Sequence, residues 1–442
     1  MDGQRRLMIT LAVEATVPPE GLDFNSLVAA FHRFGDLSTA RLFEVVLDAL
    51  EEELGRRLQA EGPDRYVWNG FHGKAKEWIL PFGRVRHRYH RILDRARRRH
   101  VIPLREALAI PLRKRYSWAV LAGPVSLATE LSFRRAAREG RNLQGVGPSK
   151  STTYDYFQNL AGSGLDPLRP PEDRTLEVVI ADGTKLKRQR RGFSDGQMDL
   201  RLVLSEKRDG GSLQVAAFDL EAEWPVLKAR LLQAFPDEPV GALLHDGEES
   251  IDVLADPRTR VQRCLVHGPR GLRFALYQDG LKKKRQDPLL EKFFEARAWR
   301  MDAEALIELT DAGRFRLRGL LDNAKFVCEE MLELLPRGAT HARAYLNGFL
   351  HNSLSYLRAL LNGEPLLPGV TTNQIENVFS QMDLRLKEIG RRWGLTGATN
   401  MIRVLLTKIF RPEFWEEYLA SLKGKPGGFV IHANIASVEW TS

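Results

Sequence analysis

The sequence has two cysteines, Cys264 and Cys328, among 442 residues. They build no disulfide framework, and a reducing compartment is the expected environment. No apolar run approaches the ~18–20 residues of a membrane span, and the start Met-Asp-Gly-Gln-Arg-Arg carries no long apolar segment. A soluble, cytoplasmic chain without a membrane partner is therefore expected. Acid is locally scarce too. Across residues 82–100, Arg84, Arg86, Arg88, Arg91, Arg95, Arg97, Arg98 and Arg99 meet a single acid, Asp94. The chain as a whole carries a formal charge of +9 at pH 7. That surplus suits a phosphate-binding protein, although ribosomal and membrane-surface proteins share it.

What is present is length enough for two to four domains, at roughly 100–200 residues each. Residues 1–80 read as helical, with Leu42, Val45, Val46, Leu50 and Leu54 forming the apolar stripe of a helix over Ser38–Leu58. In the arginine run, Arg84, Arg86, Arg88 and His90 alternate and share one face if the segment is extended. A two-stranded ribbon turning near Asp94 is expected, with a helix as the alternative. Relief of the arginines' mutual repulsion by phosphates favours a nucleic-acid role over a merely solvated charge run.

Residues 103–160 suggest a helix-turn-helix. Leu127–Ala137 forms a compact amphipathic helix, Gly140, Gly145 and Gly147-Pro148 supply the turn, and Ser149–Leu160 forms a second helix. The polar start of that second helix, with Lys150, Ser151 and Thr153, suits phosphate and base-edge contacts, against the plainer reading of an αα-hairpin. The Pro-rich stretch 162–173 is a linker.

Beyond it the texture changes. Strands are expected at 176–181, 198–204 and 213–220, then a helix at 223–235, a strand at 240–245, a short helix near 250–255, a strand at 261–266 and a helix from Gly268. Asp182 closes the first of these runs and Asp246 the fourth, each followed by glycine; Glu376 opens a later helical pattern. Each acid alone reads as a turn or a helix-start carboxylate. Together, two strand-ending acids and one helix-borne acid follow the arrangement by which an RNase H-like fold gathers carboxylates around two divalent metals ~3.5–4 Å apart. Residues 281–361, opening with Lys282-Lys283-Lys284-Arg285, are almost purely helical.

The expected class is α+β, α-rich and multidomain. A helical region (1–80) and a basic ribbon with a helix-turn-helix-like DNA-binding region (81–165) precede an RNase H-like mixed-sheet catalytic domain (174–280 and 366–425). An all-α insertion (281–365) interrupts that domain, and a tail (426–442) follows it.

Cys264-Leu265-Val266-His267 offers two further readings. A closed zinc site needs four ligands, and Cys328 has no paired histidine at finger spacing, which leaves a buried strand-end cysteine beside a histidine as the main rival. Basic residues surround the acids: Lys185, Lys187, Arg188, Arg190 and Arg191 after the first, Arg385, Lys387, Arg391 and Arg392 after the third. Trp393 is read either as a platform for an unpaired base or as core.

Asp182-Gly183-Thr184, Asp246-Gly247, Cys264-x-x-His267 and Glu376 behind Thr372-Asn373 resemble the DDE transposases of bacterial and archaeal insertion sequences, relatives of the Mutator-like elements of eukaryotes. The resemblance covers residues 174–422, insertion included, and 103–160 more loosely. Thr371-Thr372-Asn373 and Arg391-Arg392-Trp393-Gly394 match that family's C-terminal block. The resemblance implies that Asp182, Asp246 and Glu376 hold two Mg2+ or Mn2+ ions and that His267 lies near the scissile or a flanking phosphate. It implies metal-dependent cleavage and strand transfer of an insertion sequence. The expected partners are the terminal inverted repeats and target duplex, met by a nucleoid-associated homodimer. Residues 82–100 depart from relatives that carry N-terminal zinc-binding cysteines, so no metal is expected there. The alternatives are an RNase H-like nuclease or resolvase without joining, and a non-catalytic DNA-binding regulator.

Overall fold

A computed structural model describes residues 24–108, 115–168, 175–189, 196–208, 211–295, 310–364, 367, 369–389 and 392–423. These residues divide into two compact units. One holds the chain to Gly123 together with Glu139–Pro148; the other holds Pro124–Arg138 together with the chain from Ser149 onward. The chain is mixed α/β, and no helix among the described residues is long and apolar enough to cross a membrane.

The first unit is less helical than its sequence suggests. After the helix Phe24–Glu61 come five strands: β1 Tyr66–Phe71, β2 Lys76–Leu80, β3 Gly83–His87, β4 His90–Asp94 and β5 Arg99–Val101. The expectation of a helical region to residue 80 fails over Tyr66-Val67-Trp68 and Trp78-Ile79-Leu80, where aromatic and β-branched residues favour a pleated surface. β2 and β3 pair as a hairpin, and β1, β4 and β5 form a second antiparallel sheet. The helix does not bury its expected stripe, because Val45 and Leu50 are exposed. The face it turns to the strands is Ala40, Leu47 and Glu51.

The arginine alternation is structural. Arg84, Arg86 and Arg88 point outward while Val85, His87 and Tyr89 are buried. The turn follows Asp94, with Arg98 in the left-handed region at φ 51°. The acid that was missing from the local sequence arrives from the neighbouring strand: Glu77 lies 3.6 Å from Arg84, 3.2 Å from Arg86 and 2.6 Å from Arg115.

The helix boundaries around residue 130 also differ from expectation. Trp118–Leu127 and Phe133–Gln144 are separate helices, so Leu127 ends one helix and Gly140 lies inside the next. The helix Lys150–Gly162 begins as expected at Ser149, whose hydroxyl accepts from Thr152 N.

The second unit is organised by a five-stranded sheet of β6 Val178–Lys187, β7 Gln197–Glu206, β8 Gln214–Leu220, β9 Ala242–His245 and β10 Arg260–Arg263, in the order β8-β7-β6-β9-β10. The first three run antiparallel; β9 is parallel to β6, and β10 to β9. All the strands and helices expected between 176 and 278 are present. The helix Trp224–Ala234 and the 3₁₀ turn Glu249–Leu254 cover one face through Trp224, Leu227, Leu231, Ile251 and Leu254, packed on Val179, Ala181, Val203 and Leu243. The described part of the insertion is helical: Lys283–Phe294, Asp311–Leu334, Thr340–Gly348, a π-turn Phe349–Ser353 and Ser355–Leu361. Its core gathers Phe293, Cys328, Leu346 and Phe349. The helix Asn373–Asp383 brings the chain back to β6, and Leu395–Phe410 and Pro412–Lys423 follow, broken at Arg411. The tail 426–442 lies outside the described residues.

Candidate active site

Each acid is set by a different local device. β9 is buried throughout, as a parallel strand flanked on both sides must be, and Asp246 is the first residue past it. Gly247 then turns the chain at φ 108°, a conformation that a side chain would strain, and Glu248 N donates to Asp246 Oδ1 at 2.9 Å. Asp182 does not close its strand. β6 continues to Lys187 because β7 keeps pairing with it, while its parallel pairing with β9 stops at Ile180↔Leu244. The Asp182 carboxyl thus stands just past the end of the parallel ladder, with Oδ1 accepting from Gly183 N at 2.7 Å. Glu376 lies in the first turn of Asn373–Asp383, where the helix dipole favours an anion. Further along, Lys387 donates to Thr184 at 2.8 Å and pairs with Asp383 at 2.9 Å, tying this segment to β6.

His267 and Thr372 link the parts. The Thr372 hydroxyl donates to Glu376 Oε1 at 2.7 Å and lies 3.3 Å from His267 Nδ1, which is itself 3.8 Å from Glu376 Oε1. Thr372 N donates to the buried Cys264 Sγ at 3.2 Å. Cys264 and His267 are therefore members of one hydrogen-bonded group with Thr372 and Glu376. β10 ends at Arg263, three residues before the expected limit, and Cys264 N still donates to His245 O at 2.7 Å before the chain turns into the helix Gly268–Gln278.

The electrostatics follow from this crowding. Burial, and then the neighbouring Asp246, push the Asp182 carboxyl up to about 7; Glu376 adds to the rise, while Gly183 N–H and His267 oppose it. His267 is raised, chiefly by its bond with Cys264 and further by Glu376 and Asp246. Burial would raise the Cys264 thiol, but its bonds with His267 and Thr372 outweigh that and lower it. The cluster of acids thus holds a partly buried negative potential. Its donors are the hard carboxylate oxygens that magnesium or manganese takes, and a dication would relieve the repulsion on Asp182. Among the described residues no three His, Cys, Asp or Glu side chains stand close enough together to hold one ion as they are. The donor chemistry fits such a metal, and the side chains would have to draw in around it.

The residues expected to meet DNA fare unevenly. Lys185 and Lys187 are exposed on β6 beyond Asp182, and Arg392, Lys150 and Ser151 are also exposed. Arg188 is paired with Glu221. The expectation for Thr153 fails, and so does the platform reading of Trp393. Thr153 is 0% exposed and its hydroxyl donates to Ser149 O at 3.0 Å, because it lies on the inner face of its helix with Tyr156, Phe157 and Leu160. Trp393, 6% exposed, is core: Nε1 donates to Leu386 O at 2.8 Å, its backbone bridges to Arg188 beside β6, and its ring meets the buried Arg385 guanidinium at 4.8 Å. Neither is available to a base. Arg190, Arg191 and Arg391 lie outside the described residues.

Thr372 and Gln262 had no role at the site in the sequence reading, whereas Lys387 was expected among the basic residues around the acids. A threonine four residues before a helix-start glutamate was a signal for the first. The buried Gln262 had none, since its partners lie far along the chain. Its amide donates to Arg263 O and Ser353 O, both at 2.7 Å, and its carbonyl accepts from Ser355 Oγ at 2.7 Å and Tyr356 N at 3.0 Å.

No protein-family model and no curated protein matches this chain. Among solved structures it is similar to the Drosophila P element transposase strand transfer complex, at 11% identity and a TM-score of 0.34, over 68% of this chain and 93% of that one.

Proposed function

We propose that this chain is a DDE transposase that cleaves DNA at the ends of an insertion sequence and transfers the freed strand to a target. The carrying observation is that Asp182, Asp246 and Glu376, from β6, the end of β9 and the start of a helix, share one electrostatic neighbourhood in which Asp182 is raised to about 7. Such a raised carboxyl, perturbed by burial and by a like charge, is typical of functional sites. A mixed sheet in the order β8-β7-β6-β9-β10, with an all-α insertion before the third acid, supports an RNase H-like catalytic domain.

In this reading the three carboxylates hold Mg2+ or Mn2+, which when bound activates water and neutralises charge in phosphoryl transfer. The protein's own part is positional. Thr372 and His267 hold Glu376 Oε1 in place, and the Lys387–Thr184 bond fixes its helix against β6. Lys185 and Lys187 offer phosphate contacts on the strand that carries Asp182.

The test is cleavage and joining of labelled duplex carrying the element ends, with Mg2+ or Mn2+, by the full chain. Asp182→Asn, Asp246→Asn and Glu376→Gln should each abolish both reactions and leave duplex binding nearly intact. Mg2+ should raise the melting temperature of the parent chain more than that of the variants. Cleavage that survives any of these substitutions would remove the assignment, and cleavage without joining would reduce it to a nuclease.

A further inference from the structure

The helix Gly268–Gln278 starts at His267, beside the acids, and leads away from them. Its outer surface is unusual for a face that no part of the described chain covers. Phe274 is 61% and Tyr277 70% exposed, and Arg270 and Arg273 are exposed beside them. Positions 270, 273, 274 and 277 follow helical spacing, so the four side chains form one stripe. The start of the next helix, Lys283–Phe294 with Lys282 before it, adds exposed Lys282, Lys283, Lys284 and Arg285. Of these six cations only Arg273 reaches a carboxylate among the described residues, Asp287 at 4.0 Å. The other nearby acid, Asp279, is already engaged by His341 N and Ala342 N. A cavity of about 460 Å³ opens here, lined by Arg273, Tyr277, Leu281, Lys282, Lys283 and Gln286.

Exposed rings set among cations are poorly suited to solvent and poorly suited to a duplex, whose bases turn only their edges to the grooves. They suit unpaired nucleotides, whose faces stack on aromatic rings while the backbone meets lysine and arginine. At 1.5 Å per residue the stripe from Arg270 to Tyr277 spans about 10 Å.

We propose that Phe274 and Tyr277, with Arg270, Arg273 and the basic helix start Lys282–Arg285, bind single-stranded DNA next to the carboxylate site. The choice of DNA as the polyanion rests on the proposed function; the single-strand preference rests on the exposed rings.

The experiment measures binding of a labelled oligothymidylate, and of a labelled duplex, to the full chain by fluorescence anisotropy. Phe274→Ala with Tyr277→Ala should weaken single-strand binding about tenfold or more and leave duplex binding and the melting temperature unchanged. Phe274→Tyr with Tyr277→Phe keeps both rings and should restore parent affinity. Lys283→Ala with Lys284→Ala should flatten the log–log salt dependence for the single strand by roughly 0.7 for each phosphate no longer neutralised. Parent-like single-strand binding by the double alanine variant would overturn the proposal, as would equal losses for single strand and duplex. Because the stripe contains none of the three acids, metal-dependent cleavage by the parent chain would survive failure of this inference. Conversely, stacking without any cleavage would count against the catalytic reading alone.

Discussion

Thr372 and Glu376 are joined by a 2.7 Å hydrogen bond from the threonine hydroxyl to Oε1, one helical turn apart. The threonine is wholly buried and its backbone N–H is spent on Cys264. A side chain this constrained positions the glutamate. Thr372→Val keeps the shape and removes the hydroxyl, so metal-dependent cleavage should slow by about tenfold, within the range found when a group supporting a metal ligand is lost. Thr372→Ser should restore the rate. Single-turnover cleavage would measure it, and equal rates for the valine variant and the parent would exclude the positioning role.

Gln262 offers a second test, this time of how the insertion is held to the sheet. Its side chain makes four hydrogen bonds, joining β10 to the Phe349–Leu361 segment just before Cys264 and His267. Gln262→Leu leaves buried backbone groups and the Ser355 hydroxyl without these partners. At roughly 1–3 kcal/mol for each buried polar group left unsatisfied, a loss on the order of 3 kcal/mol is expected. Denaturant unfolding would show it as a lower midpoint, and hydrogen exchange should quicken first around Ser353–Tyr356.

The first unit contains a histidine whose two ring nitrogens both face carboxylates. His87 Nδ1 lies 2.9 Å from Asp48 and Nε2 2.7 Å from Glu51, which also accepts from His90 N. Burial disfavours its charge, yet Glu51 and Asp48 outweigh burial and the pKa is raised above 6.5. A raised folded-state value means that this stabilisation is complete below the unfolded value, about 6.5, and is lost as pH rises through the folded one. Thermal melts should therefore show a His87-dependent decline on the alkaline side of that value. His87→Leu should cost about 3 kcal/mol in acid, since it strands the buried Glu51, and should abolish this component of the decline. A parent and a variant with parallel pH profiles would refute the assignment.

How much of this was legible in the sequence depended on the range of the interaction. Short apolar runs marked the strands of the second unit in order, because a strand between two layers is specified locally by its own residues. The extent of β6 past Asp182 was hidden, since β7, not the acid's own neighbours, sustains it. Thr153 and Trp393 carry side chains that suit nucleic acid, and only the packing of their surroundings shows that they face inward. The arginine run has a single acid, Asp94, within its own span, while Glu77 of β2 was already the partner of Arg84 and Arg86 in space. Composition in a window reports on local charge and is blind to such pairings.

That pairing reshapes the expected DNA contact of the arginines. Arg84 and Arg86 share Glu77 with Arg115, and Arg88 lies over the Phe71 ring at 4.4 Å while donating to Gly73 O at 3.0 Å. Each would have to give up a partner to reach a phosphate. Arg98 and Arg99, at the β4–β5 turn, are exposed, and no carboxylate lies within ion-pair distance of either among the described residues. If this ribbon binds duplex, Arg98→Ala and Arg99→Ala should each lower the log–log salt slope by about 0.9. Arg84→Ala should lower it less, because the cation it removes was partly neutralised before binding. Anisotropy titrations of the full chain against duplex across a salt series would rank the three. A larger change for Arg84→Ala than for Arg98→Ala would place the phosphate contacts on the β3 face instead of the turn.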